Sequence, residues 1–182
     1  AVKNVDAILV SDYGSGLVTP ALVARLRRAV RGAGADTPIL IDTRYRLLDY
    51  RGLTACTPNE SEVEQALGIR IDDSLKALER AGREILAQTK MRAVLVTRGS
   101  RGMALFEPDR PTAHIPISGS DEIADVTGAG DTVMATVALA VAAGATFEQA
   151  ARLANCAGGI VVMKRGTATV TPGELREAVR RG

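Results

Sequence analysis

The chain has no tryptophan, a single histidine, two cysteines and only 3% aromatic residues among its 182. Cys56 and Cys156 lie far apart in apolar surroundings, without metal-ligand spacing. They read as buried, reduced thiols of the kind cytosolic proteins keep. His114, the only histidine, falls in a strand-like run and reads as an exposed strand residue rather than a catalyst. No apolar stretch escapes Gly, Arg or Lys long enough to cross a bilayer, and no charged–apolar–small leader is present. A formal net charge of only +2 gives no default attraction to nucleic acid or an anionic membrane. The absence of a Gly-x-x-x-x-Gly-Lys-Ser/Thr run disfavours a P-loop kinase. With 46% hydrophobic residues and few rings, the core must be built of Ala, Val, Leu and Ile, which suits helices packed closely on a sheet. The length is that of one domain or most of one. Because it begins at Ala1 rather than Met and meets a strand-like run almost at once, the chain reads as a piece of a longer protein.

What is present alternates. Apolar runs at 6–11, 38–42, 53–57 and 93–97 predict buried parallel strands, 103–106 an antiparallel one, and 112–117 a further strand. Thr19-Pro20 starts a helix with Leu22, Val23, Leu26, Ala29 and Val30 inward. Asp73 or Ser74 starts another, with Leu75, Leu78, Ile85 and Leu86 inward, and Thr146 caps a third. Tyr45 to Arg51 reads as a surface loop packed by its own side chains. The alternation predicts an α/β fold, a mostly parallel sheet flanked by helices.

The chemistry gathers in the loops. Asp125-Val126-Thr127-Gly128-Ala129-Gly130-Asp131 precedes an Ala-rich apolar helix over 132–143. Such a helix tip offers unpaired N–H groups and a positive dipole end to an anion. Asp131 is either a capping residue or an acid that takes a proton from a substrate hydroxyl. Thr57-Pro58-Asn59-Glu60-Ser61-Glu62 carries either a capping box between Asn59 and Glu62 or a pair directed at magnesium-bound triphosphate. Thr97-Arg98-Gly99-Ser100-Arg101-Gly102 is either a tight hairpin or a nucleotide-contacting loop. Asn155 is the one polar residue of an otherwise small, apolar stretch, and Gly158-Gly159 lets a helix or a flat ring approach. Asp12-Tyr13-Gly14-Ser15-Gly16 lies at a strand's carboxyl end, where open α/β sheets place their ligands.

Taken together, Thr57 to Glu62, Thr97-Arg98-Gly99 with Gly102, Asp125 to Asp131 and Ala154 to Gly159, in that order along the chain, resemble the ribokinase-like (PfkB) carbohydrate kinases. Within that family they are most similar to the heptose-phosphate kinase domains of the bifunctional ADP-heptose synthases. The narrower likeness rests on Ser11-Asp12-Tyr13-Gly14, on Asp125 to Val133, and on the tail Val161 to Pro172. It spans nearly the whole of 1–182, as the C-terminal part of such a kinase domain, without the N-terminal strands and lid. The resemblance implies ATP-dependent phosphorylation of a sugar or sugar-phosphate hydroxyl in the cytoplasm. Asp131 would be the base, and the Gly128, Ala129 and Gly130 amides the anion hole. It puts Asn59 and Glu62 beside the phosphates and Mg2+, Glu62 directly or through water. Thr97, Arg98, Gly99 and Gly102 would run along the nucleotide, with Asn155 and Gly158 near adenine. Asp12 and Gly14 fall on the substrate side, and Asp125 with Thr127 holds a monovalent cation such as K+, as in some relatives. Ser15 stands where heptose kinases tend to carry lysine. The expected partners are the small-molecule substrate, the missing N-terminal part of the same kinase and, in the parent, further copies of itself; nucleic acid and membrane are not. Alone, the chain is expected to show little or no turnover. A non-catalytic nucleotide-binding module, or a kinase of this family for another sugar or a nucleoside, is the competing reading.

Overall fold

A computed structural model describes residues 4–32, 34, 36–118 and 125–181. Six strands lie side by side in chain order: β1 (Ile8–Asp12), β2 (Ile39–Thr43), β3 (Ala55–Cys56), β4 (Ala93–Thr97), β5 (Met103–Phe106) and β6 (Ala113–Ile115). The first four are parallel and the last two antiparallel. The register runs from Ile8 opposite Ile39 to Asp12 opposite Thr43 between β1 and β2. The expected mostly parallel sheet is therefore present.

Because successive strand residues face opposite sides, the sheet carries two cores. Ile39, Ile41, Cys56, Val94 and Phe106 pack beneath α1 (Pro20–Gly32), α2 (Glu60–Leu67) and α3 (Leu75–Thr89). Leu40, Ala55, Leu95 and Leu105 pack beneath α4 (Ala129–Ala142) and α5 (Phe147–Val162). A last helix, α6 (Pro172–Arg181), rests on α5. With so few rings, the second core is largely alanine, and α4 and α5 lie close together over it.

Several local expectations change. In α1, Val23 and Val30 are buried but Leu22 is 48% exposed and Ala29 is also exposed, because the helix meets the sheet along a narrow stripe. Leu75, in the first turn of α3, overhangs the core and is exposed. β3 is two residues long, since Pro58 has no N–H to continue the ladder, although its carbonyl still accepts from Thr97 N at 2.9 Å. The 45–51 segment is no self-packed surface loop: Leu47 and Tyr50 are buried in the first core. Cys56 is buried, and burial pushes its thiol pKa up; Cys156 is only half-buried, with Sγ accepting from Ser118 Oγ at 3.4 Å.

Candidate functional site

At the carboxyl ends of the strands the pleat separates the polar residues. Asp12 and Thr43 follow Val10 and Ile41 to the α1–α3 face, and Asp42 follows Leu40 to the α4 face. Gly128 takes a left-handed conformation (φ 76°) and lets the chain turn into α4 without a side-chain cap. Thr132 N and Oγ1 both donate to the Gly128 carbonyl, at 3.0 and 2.9 Å. Of the three amides expected in an anion hole, that of Ala129 donates to Val126 O at 3.2 Å. The N–H groups of Gly128, Gly130 and Asp131 have no acceptor among the described residues. Asp131 itself is exposed, and its Oδ1 accepts from the Tyr13 hydroxyl at 3.4 Å. The Arg44 guanidinium lies 5.7 Å from the centre of the Tyr13 ring.

Asn59 and Glu62 form a reciprocal capping box, each accepting from the other's backbone N–H at 2.9 Å. Glu62 is half-buried, and burial raises its pKa, with the Asp42 charge adding to the rise and the Asn59 amide and Arg44 opposing it. Asp42 is the residue that sequence reasoning missed. Burial and then the Asp131 charge hold its carboxyl above the ordinary range, with Arg44 and the Thr43 amide opposing. Its signal was available: a carboxylate ending an otherwise apolar run, Pro38 to Asp42. Among the described residues no three His, Cys, Asp or Glu side chains converge tightly enough to hold a metal ion. A magnesium ion here would need phosphate and water oxygens to complete its shell.

Beside the α4 tip is a cavity of about 240 Å³. Asn59, Thr97, Gly99, Gly102, Asn155 and Gly158, drawn from three separate segments, all line it, with apolar walls from Met103, Ile117, Val126, Val133 and Val162. Asn155 is buried and its Nδ2 donates to Pro116 O at 2.7 Å, which fixes the amide plane. Gly159 is demanded by packing, since a Cβ there would sit 2.3 Å from the Ser118 carbonyl oxygen.

Other expected site residues are placed differently. Arg98 does not line the cavity; its Nε donates to Glu60 Oε1 at 2.8 Å, and its side chain is only 9% exposed. Glu60 also pairs with Arg101, which reaches Asp73 at 2.5 Å. Asp12 is buried and accepts from Tyr50 Oη at 2.6 Å, Gly14 N at 2.9 Å and Thr43 Oγ1 at 3.2 Å. Burial opposes ionisation, but those donors outweigh it and hold the carboxyl below its ordinary pKa. The carboxylate thus organises the 12–14 turn from beneath, while Gly14 stays exposed. Asp125 accepts from Thr127 N and Gly166 N, both at 2.9 Å, and the hydrogen bonds from Thr127 and then Gly166 lower its pKa.

The chain is 46% identical over 176 residues to the bifunctional protein HldE of Caulobacter vibrioides, covering 96% of this chain and 36% of that protein. It is 43% identical over 181 residues to the Klebsiella pneumoniae HldE, covering 99% and 36%. The chain thus spans about a third of the length of these curated relatives. By fold it resembles Arabidopsis thaliana ribokinase, solved with ribose and ATP, at a TM-score of 0.83 and 22% identity over 98% of this chain and 57% of that one. Escherichia coli phosphofructokinase-2, solved with potassium, gives 0.81 at 18% identity over 95% and 56%. Residues 1–173 match the pfkB family of carbohydrate kinases, and the chain belongs to that family.

Proposed function

We propose that the chain is the nucleotide-binding and catalytic part of a kinase that transfers the terminal phosphoryl group of ATP to a sugar hydroxyl, with a heptose phosphate as acceptor. One observation carries this reading: an exposed carboxylate, Asp131, stands in the first turn of a helix whose tip has unpaired amides and borders an apolar cavity. Asp131 accepts the hydroxyl proton. The amides at Gly128 and Gly130 face charge that develops on the transferred group, the arrangement phosphoryl transfer needs most. Asn155, its amide plane fixed, meets the edge of adenine, while Gly158 leaves room for the ring. Thr97, Gly99 and Gly102 follow the nucleotide, and Gly14 lies on the sugar side.

Asp42 and Glu62 fit a divalent cation, because each is half-buried with its proton affinity raised first by burial and then by a neighbouring carboxylate, Asp131 for Asp42 and Asp42 for Glu62. Those two residues would hold a magnesium ion arriving with ATP, which would supply charge neutralisation for the phosphates. Asp125 and Thr127 would hold a potassium ion, a reading supported by the potassium-bound phosphofructokinase-2 relative. The heptose assignment is supported by the HldE relatives, and ATP use by the ATP-bound ribokinase.

The remaining part of such a kinase would add strands beside β1, wall in the sugar and mediate assembly, as the tetrameric form of phosphofructokinase-2 suggests by analogy. The 182-residue chain by itself should therefore give little or no turnover. No described helix is long and apolar enough to cross a membrane. The test is Asp131→Asn in the full-length parent. Turnover should fall by at least about 10²-fold while ATP binding persists. Undiminished turnover would overturn the assignment of Asp131. Unaltered ATP binding by a parent that phosphorylates no sugar in a substrate panel would favour a non-catalytic nucleotide module, and phosphorylation of another sugar or a nucleoside would replace the heptose.

A further inference from the structure

A second cavity, of about 230 Å³, opens at the amino-terminal ends of β2–β4, away from Asp131. Its rim carries Arg27 and Arg31 of α1, Lys90 just after α3, and Arg92 just before β4; Val30 and Leu53 form part of its floor. Asp36 is the one carboxylate lining it, with a fully exposed side chain 3.9 Å from Arg92. Among the described residues, Arg27, Arg31 and Lys90 form no ion pair.

The simplest use for these cations, satisfying the carbonyl ends of α1 and α3, is already met by the backbone. Gly34 N donates to Arg31 O at 3.0 Å, Lys90 N to Leu86 O at 3.0 Å, and Gly52 N to Thr89 O at 2.7 Å. Arg27 is held in place by packing. Its guanidinium rests against Gly52, where a Cβ would lie 2.6 Å from Cζ, and among the described residues its one acceptor is Arg51 O at 3.4 Å. Its Nε is buried and has no partner among the described residues. Arg27 and Arg31 lie one helical turn apart on the same side of α1 and present two planar donor forks side by side. Lys90 and Arg92 add point charges from the facing wall. Four like charges around a concave, partly apolar surface concentrate anions there.

We propose that this cavity binds a compact anion bearing two phosphate groups, each met by one of the paired arginine forks. The site is separate from the kinase centre and does not depend on the function assigned there. The test titrates the 182-residue chain with inorganic pyrophosphate, then with a sugar bisphosphate, by calorimetry and by amide chemical shifts. Saturable one-to-one binding is expected, with shifts at Gly52 and Lys90 and none at Gly128 to Asp131. Arg27→Gln and Arg31→Gln should each weaken it at least about tenfold, while Arg176→Gln on exposed α6 leaves it unchanged. Arg31 is exposed, so its variant reports on binding even if the packed Arg27 variant misfolds. Preference for pyrophosphate or for the sugar bisphosphate identifies the source of the diphosphate chemistry. No saturation at millimolar ligand, equal weakening by Arg176→Gln, or shifts confined to the α4 tip would each overturn the proposal.

Discussion

Asp42 and Glu62 show how a residue's burial decides what it costs to keep charged. Both titrate above the ordinary carboxylate range in the folded chain, so the folded state holds their protons more tightly than the unfolded state does. Stability then falls as pH rises from about 4 through the folded values. Asp42→Asn should remove its share of that slope and raise the melting temperature of the ligand-free chain at neutral pH, as a thermal scan across pH would show. Asp12 has the opposite sign. Its lowered pKa stabilises the fold above about pH 4 and is lost as pH falls through the folded value. Tyr50→Phe removes its shortest donor and should cost about 1–3 kcal/mol at neutral pH, with acid unfolding moved to higher pH in urea melts. The residues that converge on the cavity were legible because helix tips, capping boxes and paired glycines leave local marks in sequence. Asp42 left a mark too, a carboxylate closing an apolar run, but a charge there reads first as the end of the strand. The partner of Arg98 was hidden too, since Glu60 stands 38 positions away.

Among the elements, α3 is fixed to the sheet by the lack of a side chain. A Cβ on Gly82 would fall 2.3 Å from the ring of Phe106, which is fully buried and cannot retreat. Alanine would gain about 1 kcal/mol in helix propensity, yet overpacking costs about 1–3 kcal/mol. Gly82→Ala should therefore destabilise the chain slightly, a sign that urea unfolding would read directly. α2 is tied to the 98–101 turn through Glu60, whose side chain is only 15% exposed. Glu60→Gln leaves Arg98 nearly buried without its counter-charge and should cost about 3 kcal/mol, much of it recovered in the Glu60→Gln/Arg98→Met double variant. Neither contact was readable from periodicity, which finds a helix and its inward face but not what that face meets. The strands were readable for the reason that β3 was overread: a mostly apolar run such as 53–57 predicts burial well, and hydrogen-bond continuity poorly.

For the whole molecule, the sheet ends in two outer strands, β1 and β6, and the β1 margin carries the exposed leucines. Leu9 within β1, Leu17 just after it and Leu139 of α4 are 46%, 81% and 71% exposed. An open strand edge rimmed with leucine invites pairing with another chain. The 182-residue chain should self-associate as its concentration rises, and Leu139→Glu should shift it toward monomer in sedimentation equilibrium.

The layers are also completed in a set sequence. All six strands and α1–α3 come from the first 115 residues, whereas the face bearing Leu40, Ala55, Leu95 and Leu105 waits for α4 and α5. Tyr13 meets Asp131 across 118 positions of chain. On a ribosome, a nascent chain halted before α4 would present a bare apolar plane, the kind of surface that chaperones recognise. The same helix that hides this plane also carries Asp131, so under the proposed function a half-made chain would lack its base.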